Sequence, residues 1–526
     1  MYVKRAVDRQ RERERERERD LIRVVECQGS RMLLEILAGL LILLGALYRW
    51  ITKSFDKWEK EGIPHDKPSF PFGTHSFITQ NKHLNDYVHE DYNKFKIGQK
   101  LKVHGWFLLG KPALSINDVD ILKKIQVKDF NHFVDRNETK ISRSFGAGGK
   151  LDKLWGLQMT NASGDKWKDI RSAFTPIFTS GKMKVMLTFI KETAGGLTKE
   201  LGQKAEARKE FDLKDTFGKF SLDALASSAF GVNPQSFESS TSVFVKHAAA
   251  VFLNSPSEQL IIFMALIPGI SHIKTFLGIN TFKPRATKYL SDCITHAIKA
   301  RRESGERRND MIDLMLDCIK EGEKVDENEN EDTSSQYDKD MMFEHVQKHG
   351  KITEDEIVAT ALVFLVAGYD TTGMTLSFLA YQMSKNPEIQ ERLQQEIDQA
   401  FEDHNGAMPD YATIQGLPYI DMVIHETLRL HAPVGLNTRS CTEDYKLPGT
   451  EVTVRRGDLL TFSVSGIHRD PEHYSHPDQF YPDHFSKEEK AARHPYVSLS
   501  SIAPNFGSFP DTPSRPSVRA PAPASG

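Results

Sequence analysis

A mostly α-helical fold with small β-sheets, carried on one N-terminal membrane helix, is the fold class that the sequence predicts. Three observations lead there. Apolar residues recur at helical period over 184–206, 218–230, 284–303, 309–320, 354–384, 387–402 and 419–430. Strand-like alternation is confined to 95–128, which turns like a hairpin before a short helix, and to 445–462. Residues 32–51, MLLEILAGLLILLGALYRWI, are apolar apart from Glu35 until Arg49, and about 20 residues suffice to cross a bilayer.

Composition bounds what the chain does. At 526 residues there is material for a large core, and a net charge of -3 gives no global argument for nucleic acid. The four cysteines, Cys27, Cys293, Cys318 and Cys441, form no CxxC pair or Cys/His cluster, so neither a disulfide framework nor a zinc site is expected. A reducing compartment fits.

Taken in order, residues 1–31 are a low-complexity extension containing RERERERERD and ten Lys and Arg. So many cations upstream of an anchor argue for the opposite orientation, and the expectation is that translation begins at Met32 and the extension is spurious. Residues 32–52 are the anchor, followed by Lys53, Lys57 and Lys60 rather than by a small-residue cleavage site. Residues 53–75 include GIPHDKPSFPFG, a proline-rich hinge. The main domain is expected over 76–499, interrupted at 321–340 by an acidic surface loop with no packing residues. Turn-rich sequence fills 466–485. In the tail, 500–526, 14 of 27 residues are Pro, Gly or Ser, so it is expected to be disordered. No repeat of 20–50 residues is present, which disfavours a solenoid.

The chemistry concentrates in three stretches. The segment TEDEIVATALVFLVAGYDTTGMTLSFLAYQMSKNP opens with Thr353 and Glu356 in capping-box spacing and closes at Asn386-Pro387. Its greasy centre holds Gly368, Asp370, Thr371 and Thr372, and glycine alone costs up to about 1 kcal/mol inside a helix. One reading is a kinked core helix whose threonines bond to their own carbonyls. The other is a helix that opens so that an acid and an alcohol handle a small molecule and protons. The second stretch, HETLRLHAPVGLNTRSC, spaces Glu426 and Arg429 for pairing on one helix face. In the third, GDKWKDIRSAF, Trp167 and Arg171 lie four apart, suiting either a cation–aromatic pair or an anion site.

In this order, WxxxR, AGxDTT (367–372), ExxR and HRDPEHY…DQFYPDHF (468–485) resemble the cytochrome P450 superfamily, and among its members the animal microsomal enzymes that handle xenobiotics and lipids. The phrases VKDFNHFVDR, FTSGKMK, SSAFGV and DEIVATALVFLVAGYDTT extend the resemblance over about 32–499. It implies a haem b cofactor, with Trp167, Arg171, Arg439 and Arg136 binding its propionates and Gly368 letting the central helix open against oxygen. Asp370 and Thr371 would relay the protons that oxygen cleavage consumes. Glu426 and Arg429 would be the structural pair that an arginine normally completes; here His484 stands at that place, without a five-donor fork. Phe364, Ala367, Val434 and Leu436 would line the substrate pocket, and the apolar 260–270 would dip into the membrane. The implied partners are NADPH-cytochrome P450 reductase, a lipophilic substrate and membrane lipid, at the endoplasmic reticulum with the main domain facing the cytosol. On that side the sequons at Asn137 and Asn161 go unused.

The family's iron is held by a cysteine thiolate in a Phe-x-x-Gly-x-Arg-x-Cys-x-Gly loop. No cysteine follows Cys441, and NFGSFPDTPSRP (505–516) matches neither the spacing nor the chemistry. The fold is therefore expected to be C-terminally incomplete and the chain as written inactive. The alternative is a catalytically dead, truncated P450-like protein that serves as a membrane-tethered binding or scaffold protein.

Overall fold

A computed structural model describes residues 35–71, 73–74, 83–108, 110–136, 150–208, 210–232, 234–237, 243–251, 276–280, 282–308, 310–321 and 352–497. The expectations for 1–31, 260–270, 322–340 and 500–526 lie outside these residues. The described chain is mostly helical with small sheets. It divides into two compact units: one takes in the chain up to residue 75 with Gly105–Ala113, the other Ser76–His104 with the chain from Leu114 onward.

In the first unit, helix α1 (Glu35–Thr52) is long and apolar enough to cross a membrane. Its apolar side chains stand outward, Ile42 being 72% exposed. Beyond it, a turn of helix at Lys57–Lys60 buries Trp58, whose indole Nε1 donates to Trp106 O at 2.9 Å. Gly105 is required here because a Cβ would lie 2.4 Å from the Trp58 ring. The proline-rich stretch is laid along this backbone rather than free: Gly105 N donates to Pro64 O, and Ser69 and Gly73 exchange backbone bonds, all at 2.8 Å.

The hairpin strands β1 (Val103–Leu108) and β2 (Lys111–Ile116) contribute residues to both units. In the second unit, β3 (Leu436–Ser440) runs antiparallel to β6 (Leu459–Ser463), Leu436 opposite Ser463 and Ser440 opposite Leu459. Between them in sequence, β4 (Tyr445–Lys446) pairs with β5 (Thr453–Val454). Every β6 residue is buried, as expected of a strand with neighbours on both edges.

The helices of this unit that position the site are α2 (Leu84–Tyr92), α3 (Gly164–Phe174), α4 (Ser180–Ala207), α5 (Leu213–Phe230), α6 (Pro284–Ser304), α7 (Met311–Glu321), α8 (Glu354–Lys385), α9 (Pro387–Glu402) and α10 (Pro418–Leu430). Helix α8 carries the core, burying Ile357, Val358, Ala361, Leu362 and Leu365 against α5, α6 and the short helix Lys150–Gly156. It crosses α5 glycine on glycine: a Cβ on Gly373 would lie 3.0 Å from both Cα and N of Gly218. Helices α6 and α7 are tied by Arg301, which donates to Asp310 Oδ2 and Asp313 Oδ1, each at 2.7 Å and nearly buried.

Candidate functional site: a buried guanidinium cluster beside the central helix

Helix α8 begins as its capping box requires. Thr353 N donates to Glu356 Oε2 at 2.8 Å, and Glu356 N returns a bond to Thr353 Oγ1 at 3.3 Å. Lys166 of α3 adds an ion pair to Glu356 at 2.8 Å. At the far end Asn386 Nδ2 donates to Gln382 O at 2.8 Å, and Pro387 starts the next helix. Between these ends the helix is continuous. Thr371 Oγ1 donates to Ala367 O at 2.8 Å, so the polar centre takes the self-bonded form rather than an opened one. Gly368 faces α5, where a Cβ would lie 2.3 Å from Leu225 Cδ1. The carboxylate of Asp370 is turned to the N-terminal turn of α5, with Lys214 Nζ 3.0 Å from its Oδ1. Lys214 was not legible as a site residue, because a lysine beside the capping Asp212 carries no signal of its own. Phe364, half-buried, packs against Phe174 at 5.7 Å and Phe178 at 5.8 Å between ring centroids. Ala367, Val434 and Leu436 are likewise half-buried.

The four residues expected to meet a cofactor's carboxylates come from three separate segments, and the fold brings those segments together. Asp135 is the joint: its Oδ1 accepts from Gly164 N, at the start of α3, at 2.8 Å, and its carbonyl accepts from Ser440 N at 2.7 Å. Thr438 Oγ1 donates to Arg136 O at 3.2 Å. Phe130 lies between Trp167, at 5.7 Å, and the Arg439 guanidinium, at 5.9 Å. Arg439 is 1% exposed; its Nη1 donates to Thr438 O at 3.0 Å, while Nε and Nη2 have no partner among the described residues. Burial, reinforced by the Arg136 charge, pushes Arg439 well below the usual arginine range. Burial and then Arg171 lower Arg136 to about 10. An arginine does not shed its proton, so the buried Arg439 guanidinium, with two open nitrogens and cations beside it, calls for an anion. The two propionate carboxylates of a haem fit that requirement.

The axial position is not matched in the same way. Among the described side chains the free thiols are Cys293 and Cys441. Cys441 is buried with Sγ donating to Glu443 O at 2.7 Å, and burial pushes its pKa up to about 11. Cys293, beside Tyr289, is also raised by burial. Neither is a thiolate at neutral pH.

Glu426 and Arg429 form a bidentate pair, Nε to Oε2 at 2.7 Å and Nη2 to Oε1 at 2.8 Å, with both side chains buried. The remaining donors of Arg429 reach His468 O and Pro477 O at 2.7 Å and Gln479 O at 2.9 Å, so all five are used. Glu426 Oε1 also accepts from Tyr481 N at 2.8 Å. His484 does reach the pair: its Nδ1 lies 3.3 Å from both carboxylate oxygens. Tyr474 supports the knot between two guanidinium groups, Arg429 at 4.9 Å and Arg493 at 4.4 Å.

A family model described as Cytochrome P450 matches residues 64–500. Cytochrome P450 3A11 of Mus musculus is 32% identical over 472 residues, covering 89% of this chain and 85% of the relative. Cytochrome P450 6B2 of Helicoverpa armigera is 31% identical over 459 residues, with 87% and 84% covered. Cytochrome P450 6k1 of Blattella germanica is 30% identical over 467 residues, with 89% and 85% covered.

Proposed function

Because the chain belongs to the cytochrome P450 family, we propose that it is a membrane-anchored monooxygenase scaffold that receives haem b by its carboxylates and, with only these 526 residues, does not activate oxygen. The observation that carries the cofactor reading is Arg439, a buried guanidinium with two open donors and cationic neighbours. Haem held by a thiolate supplies the family's chemistry, the insertion of one atom of O2 into a lipophilic molecule.

In this reading Arg439, Arg136 and Arg171 neutralise the two carboxylates, while Trp167 closes the cluster on the α3 side. Asp370, whose carboxylate pairs with Lys214 on the α5 side, passes a proton from solvent to its neighbour Thr371. Thr371 can carry that proton inward once its hydroxyl leaves Ala367 O. Phe364, Ala367, Val434 and Leu436 exclude water and offer an apolar wall to substrate. Helix α1 tethers the protein to the endoplasmic reticulum with the main domain in the cytosol, where NADPH-cytochrome P450 reductase supplies electrons. A second reading, a catalytically silent membrane-tethered binding protein, is favoured by one observation: the Cys441 thiol is protonated and committed to Glu443 O.

Titration of the detergent-solubilised chain with haemin, followed by a reduced carbon monoxide difference spectrum, tests both parts. Saturable uptake without a thiolate-type band is expected, with uptake at least tenfold weaker in Arg439→Met, since charge-assisted pairs contribute about 1.5–3 kcal/mol each. No uptake, or equal uptake by the variant, overturns the cofactor site; a thiolate-type band overturns the inactivity.

A further inference from the structure

The proline-rich stretch that follows α1 ends in a turn braced by the rest of the first unit. Ser69 and Gly73 exchange backbone hydrogen bonds at 2.8 Å, and Ser69 Oγ adds a third to Gly73 O at 2.9 Å. Gly73 lies against β1, where a Cβ would stand 2.3 Å from Phe107 Cβ. Thr74 continues the seam, its Oγ1 accepting from Phe107 N at 2.9 Å. Phe107 is itself buried and meets the Phe55 ring edge-on at 5.3 Å. From this braced turn Phe70 stands out, 53% exposed, with its ring 5.2 Å from that of Tyr48 on α1, which is also 53% exposed. Helix length gives the depth of that contact. Eighteen residues rise about 27 Å and a bilayer's hydrocarbon core is about 30 Å thick, so a spanning α1 has no turn to spare. Tyr48 stands four positions before Thr52, about 6 Å along the axis, and so lies inside the boundary. A ring that touches Tyr48 shares its depth.

We propose that the turn around Phe70 is a second membrane contact, a foot that seats Phe70 beside Tyr48 at the lipid headgroup level of the leaflet where α1 ends. This contact presupposes α1 as the spanning anchor of the proposed function. The chemistry of the turn suits the place. Aromatic rings favour the boundary between headgroups and acyl chains. Backbone groups entering that boundary need partners, and here Ser69 and Gly73 satisfy one another while Pro71 has no N–H to satisfy. Arg49 and Lys53 at the end of α1 and Lys67 in the same stretch are all exposed, and their charges suit lipid phosphates. The neighbouring Lys57 and Lys60 are taken up by Glu61 and Asp56. With α1 alone the first unit is free to pivot about Thr52. With the foot in place it is held at one tilt, so the stretch that the sequence presents as a hinge acts as a brace.

Photolabelling of the full chain in vesicles tests the foot. The vesicles are phosphatidylcholine with a minority of phosphatidylserine and a trace of phosphatidylcholine bearing a diazirine at the head of one acyl chain. Labelled peptides are located by mass spectrometry, and the exposed, charged helix Lys487–Ala492 serves as the reference for random collision. Lipid adducts are expected in α1 and in the peptide that holds Phe70, each about tenfold above the reference. Phe70→Ser is expected to lower the yield in that peptide about fivefold and to leave α1 labelled as before. Adducts in α1 with none above reference around Phe70 overturn the foot and leave the anchor standing. No adducts in α1 overturn the anchor, and the foot with it. An undiminished yield in Phe70→Ser also overturns the foot. Misfolding of that variant would show as new adducts in α8 and leaves the parent pattern to decide.

Discussion

His468 shows how far a single side chain departs from its ordinary chemistry here. It is 1% exposed with Nδ1 3.1 Å from Arg429 O, so Nδ1 carries a proton and donates. Burial, with Arg429 next, lowers its pKa to about 3. His431 follows the same rule: burial and then Arg469 lower it to about 4, while Gln382 Nε2 lies 2.7 Å from its Nε2. The sign of the linkage is that of a depressed group. The unfolded histidine takes up a proton below about pH 6.5 while the folded one stays neutral, so stability is complete above that pH and declines as pH falls toward the folded value. At pH 5 the loss from His468 alone is about 2 kcal/mol. Urea unfolding at pH 7.5 and pH 5 is expected to show a smaller acid-induced loss for His468→Asn than for the parent; equal losses would refute it. These roles were not legible beforehand. HRDP drew attention as a phrase, but a histidine's protonation depends on partners far away in sequence. By contrast Arg439 and Arg136 could be named from the motifs, while the seating of Arg439 over Phe130 could not.

At the scale of elements, local rules carried most of the information. The seven periodic segments correspond to α4 through α10, and the ends of α8 agree with its capping box and its Asn-Pro stop. Helices Leu84–Tyr92 and Val243–Val251, nine residues each, were not read, since two and a half turns give too few repeats for a period to emerge. The reading of α8 as a helix that opens at its glycine misses what that glycine touches, which is Leu225 of α5. The close crossing lies at Gly373, and it yields an ordered prediction. Alanine gains up to about 1 kcal/mol of helix propensity, but overpacking typically costs about 1–3 kcal/mol. In Gly373→Ala the obstructing atoms are Gly218 backbone, which cannot rotate away, whereas in Gly368→Ala the Leu225 methyl can. Gly373→Ala is expected to lower the melting temperature more than Gly368→Ala, and the reverse order would show that the crossing tolerates a methyl group.

For the molecule as a whole, membership of the family was legible because several weak motifs occur in one order, and the matched residues 64–500 cover nearly the same span. The outward-facing apolar side chains of α1 give the accompanying prediction. A chain beginning after Thr52 should float less with liposomes than the full chain, by at least tenfold, because a spanning helix dominates membrane affinity. Unchanged flotation would place the membrane contact elsewhere. The knot around Arg429 has a consequence in time. Its acceptors lie 39, 48 and 50 residues further along the chain, and the Tyr481 amide that caps Glu426 lies 55 residues from it. During synthesis, helix α10 therefore emerges from the ribosome with a carboxylate–guanidinium pair that has nowhere to be buried. It stays wet until residue 481 is made, and only then can the interior close, so the final packing of this half of the protein waits on one late turn of chain.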